Sequence, residues 1–345
     1  MAYTTINKST DYFNTKLYTG NGSTNAITGV GFQPDFTWIK QRAGSTSHML
    51  FDVIRGATYR LSSDTTEANG QYSTSLTAFG SDGFTLGSFN DVNINSGTFA
   101  AWNWKANGLG SSNTDGSINT TYTSANTTSG FSIIQYTGNA TAGATIGHGL
   151  GKVPKMIIFR RYAQAENWGV YFSALGNTKS LNLNLTGAET TDANFLNSTT
   201  PTSSLITLGT SVLSNASNPM IAYAFAEIPG FSKFGLYEGN GNFNGPFVYT
   251  GFKPSFIMVK AKGQTESWYI NDNKRPGYNT NNYYLNPNTN SAEGTSTTLA
   301  TGLLSNGFKP FNTDTSMNTS GQGYVYMAFA ENPLVSTNGN AATAR

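Results

Sequence analysis

Gly251-Phe252-Lys253-Pro254-Ser255-Phe256-Ile257-Met258-Val259-Lys260 decides the fold, because the chain repeats its pattern three times. The first copy is Gly31-Phe32-Gln33-Pro34-Asp35-Phe36-Thr37-Trp38-Ile39-Lys40. The second, Gly149-Leu150-Gly151-Lys152-Val153-Pro154-Lys155-Met156-Ile157-Ile158-Phe159-Arg160, has two extra residues before its proline. Proline fixes φ and donates nothing to a sheet ladder, so it suits the start of a strand. The apolar run behind it is too short for a helix and right for a buried strand. Six residues after each proline stands a cation (Lys40, Arg160, Lys260), which is expected to return the chain to water.

Other markers keep the same period. Pro34, Pro154 and Pro254 lie 120 and 100 residues apart, and the openings at Tyr18, Tyr136 and Tyr237 lie 118 and 101 apart. Each opening runs into a Gly-Asn step, which supplies the positive φ of a tight turn. Each unit closes on large aromatics alternating with small residues: Ala101-Trp102-Asn103-Trp104, Ala222-Tyr223-Ala224-Phe225 and Tyr326-Met327-Ala328-Phe329. That is the period-2 pattern of a strand with one packed face. Fourteen residues after the proline stand Trp168 and Trp268, with His48 in the first unit.

Charged residues are only 11% of the chain and aromatics 13%, with abundant Gly, Asn, Thr and Ser. Such a chain reads as short strands joined by many turns, with enough aromatic residues to bury a core. The expectation is all-β: three tandem β-sandwich domains of about 90–105 residues. The boundaries are an arm or first strand over 1–17, repeats over 18–107, 130–229 and 230–334, a Gly/Ser/Thr/Asn linker over 108–129, and a tail over 335–345. The repeat markers are Pro34, Pro154, Pro254, Trp168, Trp268, Trp104, Phe225 and Phe329.

Several function classes fall away. The net charge of +2 is spread without basic runs, so nucleic acid and anionic membrane are poor partners. The N-terminus is polar and reads as no signal peptide, and no segment approaches a membrane span. Cysteine is absent, which removes disulfides and thiolate chemistry.

The segments Ala144-Thr145-Ile146-Gly147-His148-Gly149-Leu150-Gly151 with Pro154-Lys155-Met156-Ile157-Ile158, Phe225-Ala226-Glu227 with Gly230-Phe231-Ser232-Lys233-Phe234-Gly235, and Gly245-Pro246-Phe247-Val248-Tyr249-Thr250-Gly251-Phe252 resemble repeat-containing virion proteins of tailed, often marine, bacteriophages. Tyr326-Met327-Ala328-Phe329-Ala330-Glu331-Asn332-Pro333 fits the same group. The resemblance implies a tail-fibre-like structural protein on the particle exterior, made in the host cytoplasm. It implies other virion proteins as partners and supplies no catalytic residue. A jelly-roll or lectin-like sandwich enters by analogy with such proteins.

His148 lies in a glycine-rich loop without metal partners, and His48 takes a packing position. Glycoside hydrolysis needs two carboxylates across a cleft. Asp35, Asp52, Glu166, Glu227, Glu238, Glu266 and Glu331 are available. Glu227 and Glu331 share one repeat position, and Glu166 and Glu266 another, which suits fold roles such as strand-end ion pairs. No catalytic residue, cofactor or metal is therefore expected, although a polysaccharide depolymerase stands as an alternative. Binding suits this composition better, because sugar faces stack on aromatic rings while amides bond the hydroxyls. The third unit's insert at 271–284 has no close equivalent elsewhere and offers Arg275, Tyr278, Asn282, Tyr283 and Tyr284 as ligand residues for a host-surface glycan. A capsid or neck decoration protein without receptor binding is the other alternative. A homo-oligomer, in particular a trimer, is expected from the need to bury aromatic surface without disulfides.

Overall fold

The computed structural model describes residues 4–275, 279–333 and 335. It is all-β, with several antiparallel sheets, none closed. The first unit holds β1 (Phe13–Thr19), β2 (Asn25–Thr28), β3 (Phe36–Gln41), β4 (Met49–Asp52), β5 (Tyr59–Ser62), β6 (Gly70–Gln71), β7 (Leu76–Gly80), β8 (Gly83–Leu86), α1 (Asn90–Asn93) and β9 (Thr98–Trp104). The second holds β10 (Tyr122–Asn126), β11 (Phe131–Thr137), β12 (Ala144–Gly147), β13 (Pro154–Arg161), β14 (Gly169–Phe172), β15 (Lys179–Asn182), β16 (Thr190–Thr191), β17 (Leu205–Leu208), α2 (Val212–Asn215) and β18 (Pro219–Ala226). The third holds β19 (Ser232–Glu238), β20 (Val248–Tyr249), β21 (Phe252–Ala261), β22 (Tyr269–Asp272), β23 (Tyr283–Tyr284), β24 (Gly294–Thr295), β25 (Thr301–Leu304), β26 (Gly307–Pro310), α3 (Thr315–Asn318) and β27 (Gly323–Pro333).

Each unit has one large sheet centred on the strand behind its proline. The orders are β1-β9-β3-β4-β5-β6, β10-β11-β18-β13-β14-β15-β16 and β19-β27-β21-β22. A small sheet (β2-β8-β7, β12-β17 or β20-β26-β25) accompanies each. The central strands of the large sheets are buried on both faces. In β21, Ile257 and Val259 join a core private to the third unit, while Phe256 and Met258 join a core shared by all three. The alternation is the same for Ile157 and Phe159 against Met156 and Ile158 in β13. At the middle of the shared core the closing strands meet: Trp104, Phe225 and Phe329 have ring centroids 5.8–6.4 Å apart in all three pairings. The units are therefore not beads on a string. They surround one aromatic centre.

The turn at each opening is fixed by a buried asparagine. Asn93, Asn215 and Asn318 accept the main-chain N–H of Asn21, Asn139 and Asn240 at 2.9–3.0 Å. The tyrosine before each turn donates to the short helix beside that asparagine, as Tyr18 does to the Val92 carbonyl at 2.7 Å and Tyr237 to Met317 at 2.8 Å. Gly20, Gly138 and Gly239 are required by close approach. A Cβ there would lie 2.1–2.3 Å from a carbonyl oxygen.

Two boundaries change. Residues 13–17 are a first strand and no arm, because they belong to β1, which pairs along its length with β9. The stretch 108–129 is no free linker: it carries β10, which pairs with β11, and Ser111 bridges to Thr123. The cations do not return to water either. Lys40, Arg160 and Lys260 are fully buried. Lys40 Nζ donates to the Asn290 carbonyl at 3.3 Å, Arg160 Nη2 to Thr66 at 2.8 Å, and Lys260 Nζ to Thr186 at 2.9 Å. The first unit thus reaches the third, the second the first, and the third the second. Backbone bonds of 2.7 Å follow the same seams: Asn69 N–H to Tyr162 O, Glu189 to Lys262, and Glu293 to Arg42. Trp168 and Trp268 donate across them to the Ser62 and Asn182 carbonyls at 2.9 Å. His48 holds the corresponding place, buried and held well below the usual histidine range by burial and by Lys40. It accepts from Trp38 Nε1 at 2.8 Å. The Asn286 backbone favours its protonated form, but its Nε2 makes no hydrogen bond of good geometry.

A second set of seam contacts exists in two chemistries. Asp52 and Asp272 are buried and paired with Arg55 and Arg275 at 2.6 and 2.7 Å. Each also accepts from a neighbouring unit, Asp52 from the Tyr223 hydroxyl at 2.7 Å and Asp272 from Trp102 Nε1 at 3.0 Å. In the second unit the same repeat positions are Phe172 and Leu175, and the position of Trp102 and Tyr223 is Met327 in the third. Breaking one partner of a buried pair strands a charge, whereas a complete apolar replacement does not. Arg55→Leu alone is expected to cost about 3–5 kcal/mol. Asp52→Phe, Arg55→Leu and Tyr223→Met together, which copy the apolar seam, should recover at least half of that loss in urea unfolding.

Burial pushes Lys40 down to about 8, against the pull of Asp64, Asp91 and Glu293, and Lys260 likewise to about 8. Between those values and the unfolded value of 10.5 the unfolded chain holds more protons, so this contribution makes stability rise with pH. Burial pushes Tyr171 up to about 12, and Tyr136, Tyr223, Tyr237 and Tyr326 upward as well. Above the unfolded tyrosine value of 10 those groups ionise only on unfolding, so stability falls. Urea midpoints should therefore rise from pH 8 to about 10 and drop beyond it.

Candidate functional site

The third unit departs from the other two on one surface. In the small sheets, Ile27 pairs with Phe84 and Val248 with Phe308, which fixes the correspondence between β2 and β20. On that register Phe247 and Tyr249 occupy the positions of Ala26 and Thr28, and Phe243 lies in a stretch that is two residues longer in the third unit, between the turn glycine (Gly241, the counterpart of Gly22) and the strand. Phe243, Phe247 and Tyr249 are 64%, 47% and 55% exposed, and among the described residues they are the exposed large aromatics. Buried Val248 lies between Phe247 and Tyr249, so strand alternation sends both rings outward. The Phe247 ring covers Gly307, where a Cβ would come within 3.0 Å of it. Phe311 covers Gly302 in the same way, and Lys309 Nζ stands 5.7 Å from the Phe311 ring.

Beside these rings is a cleft of about 370 Å³ lined by Phe243, Thr280, Asn282, Thr297, Ala300 and Phe311. Aromatic walls with amide and hydroxyl groups at the rim match what a sugar needs: a flat apolar face and partners for its hydroxyls. The segment over the cleft is held by Asn279, which donates to the Leu303 carbonyl at 2.7 Å and accepts from the Leu303 N–H at 3.0 Å.

The residues expected to bind do not gather here. Asn282 lines the cleft. Tyr278 lies outside the described residues. Tyr284 packs on Tyr269, with centroids 5.3 Å apart, and pairs with Gly294 in the β23–β24 ladder. Tyr283 is half-buried beside it, its carbonyl accepting from Asn271 at 2.7 Å. Arg275 is buried between Asp272 and Glu293, at 2.7 and 3.0 Å, and is no surface ligand. The insert also has a counterpart: Asp272-Asn273-Lys274-Arg275 repeats Asp52-Val53-Ile54-Arg55, so the unusual part is four added residues before β23. Alone, Phe247 and Tyr249 read as ordinary strand residues; only the pairing of Ile27 with Phe84 and of Val248 with Phe308 sets them against Ala26 and Thr28.

The other candidates have structural partners. His148 is buried, its Nδ1 accepting from the Leu150 N–H at 3.2 Å. Glu227 and Glu331 pair with Lys233 and Lys253 at 2.7 Å, as strand-end ion pairs. Asp35 is buried and accepts from the Ala106 N–H at 2.7 Å. The Glu266 carbonyl caps Lys260 at 2.8 Å, and Glu166 accepts from the Asn167 N–H at 2.9 Å. Among the described residues no group of three potential metal ligands gathers, and no helix is long and apolar enough to cross a membrane.

The two tyrosine-type roles separate in one experiment. Tyr284→Ala should lower unfolding stability by about 2 kcal/mol or more through lost packing, whereas Phe243→Ala should change it by about 0.5 kcal/mol at most. Thermal unfolding of both variants checks this.

Residues 8–333 match a single family model, described as a domain of unknown function (DUF7483), and the chain belongs to that family. No curated protein and no solved structure matches it.

Proposed function

We propose that this chain is a non-enzymatic structural protein of a tailed-bacteriophage particle, displayed on its exterior, whose third unit holds a host-surface glycan. The virion assignment rests on the sequence segments that resemble phage repeat proteins. Each unit then carries the jelly-roll or lectin-like sandwich of that analogy, and other virion proteins are its partners. The adhesive role rests on one observation: the third unit places exposed Phe247 and Tyr249 where the first has Ala26 and Thr28, and exposed Phe243 in a stretch two residues longer than in the first unit, beside a cleft lined by Asn282, Thr280 and Thr297. The first unit folds with small residues at the two strand positions and without the added residues, so the shared fold does not require exposed rings there. Recognition is a reason to keep them.

The mechanism is stacking and hydrogen bonding on a rigid frame. Sugar faces lie on Phe243 and Phe311, and the amide of Asn282 and the hydroxyls of Thr280 and Thr297 sort their hydroxyl patterns. By analogy with aromatic pairs, each stacking contact of this type is expected to carry about 0.5–1.5 kcal/mol. Binding of the purified protein to host cells and to their extracted surface polysaccharide tests the reading. Phe243→Ala with Phe311→Ala should weaken that binding about tenfold or more while leaving the fold intact. Binding that ignores both substitutions removes the site. Attachment to the particle without affinity for host cells leaves a decoration protein, and release of reducing sugar from the polysaccharide indicates a depolymerase.

A further inference from the structure

We infer that β19 is an interaction edge, and that it pairs with β19 of a second copy of this chain to join two large sheets into one. The three units treat this edge differently. In the second unit the strand before the Tyr136 turn, β11, is covered by β10: Tyr122 faces Gln135, Thr123 faces Ile134 and Ser124 faces Ile133. The equivalent strands β1 and β19 end their sheets. Beyond its ladder with β27, the main chain of Lys233–Glu238 makes no hydrogen bond among the described residues. An open edge of this kind is a template for another strand unless something guards it.

β1 is guarded. At its centre stands Lys16, a residue that discourages edge pairing. At the same repeat position β19 has Gly235, whose Cβ-free backbone is needed because Tyr326 lies beneath it. At the next position the covered edge carries Gln135 and both open edges carry leucine, but Leu17 of β1 is half-buried against the shared core whereas Leu236 of β19 is 44% exposed. An apolar side chain at an unprotected edge is a hazard in a monomer and a contact in a pair.

The strand is self-complementary. With two copies antiparallel about a two-fold axis at Gly235, Phe234 faces Leu236 of the second copy, Lys233 faces Tyr237, and Ser232 faces Glu238. The apolar Phe234–Leu236 pair forms twice, no like charges meet, and the glycines at the axis leave room for close approach. The two four-stranded sheets then become one of eight. β10 is the internal precedent: the same edge in the same chain accepts an antiparallel strand.

Sedimentation velocity and light scattering on the full chain test this, with hydrogen exchange on 232–238. A dimer is expected, with the β19 amides slowing as concentration rises. Leu236→Asp should raise the dimer dissociation constant by roughly a hundredfold, and Leu236→Gln, the residue of the covered edge, by less. A monomer at all concentrations, a trimer, or a dimer indifferent to Leu236→Asp overturns the inference. Should Leu236→Asp fail to fold, concentration-independent exchange at 232–238 in the unaltered chain overturns it equally.

Discussion

The structure depends on large sheets whose central strands have no solvent face. Each sheet packs its own small sheet on one side and the shared aromatic centre on the other, where Trp104, Phe225 and Phe329 touch. A sheet whose centre is buried on both faces cannot leave its neighbours without exposing a full apolar surface. The buried cations then become necessary. Where a strand leaves the shared core at a seam, the next unit's loop presents carbonyl oxygens with lone pairs and no donors. Lys40, Arg160 and Lys260 fill that need. A cation taken from water is costly unless such oxygens receive it, and an uncapped carbonyl is costly unless a donor reaches it. Each defect resolves the other, and it does so three times around a closed ring.

The ring is closed by residues distant in sequence. Glu293 takes Arg42 at 2.7 Å and Arg275 at 3.0 Å, so the last unit locks onto the first. The corresponding clasp between the second and third units is the looser Lys262–Glu189 pair at 3.9 Å. Between the first and second, the residue in the place of Glu293 and Glu189 is the neutral Asn69, bonded at 2.8 Å by Arg55 of its own unit and reaching the second unit through its N–H to the Tyr162 carbonyl. The seam between chain-distant units carries the strongest charge pairing, and those between chain neighbours manage with less. This is consistent with tethering: units already joined by the chain lose less entropy on docking.

Much of this was legible. Period-2 alternation and the prolines gave the all-β class and the central strands, and the recurring glutamates gave their ion pairs. What failed was legible only between units. Lys40 follows an apolar run, and nothing local distinguishes a cation heading for water from one heading for a neighbour's carbonyl. The stretch at 108–129 looked like linker because Ser, Thr and Asn also make an edge strand whose outer side is wet, as β10 does. Arg275 looked like a surface ligand because its partner Asp272 sits three residues before it in a loop-like string, the same spacing as Asp52 and Arg55. Reading the two strings side by side identifies a buried pair, since a surface contact has no reason to recur.

The same comparison changes how assembly is argued. Aromatic surface needing burial suggested three copies around an axis. That surface is already buried, inside one chain, around an axis made by three units of the same blueprint. One chain does internally what a trimer would do with three. The driving force for further association must then come from what the ring leaves open, and tandem repetition makes those places readable. A position that is covered in one unit and bare in another, or small in two units and aromatic in the third, is under no demand from the shared fold. Residues that break the repeat at the surface are therefore where selection for contact with something else has room to act. Residues that break it at the seams, such as Phe172 and Leu175 against Asp52 and Arg55, record alternative solutions to one packing problem. The first kind points outward to partners, and the second only inward to stability.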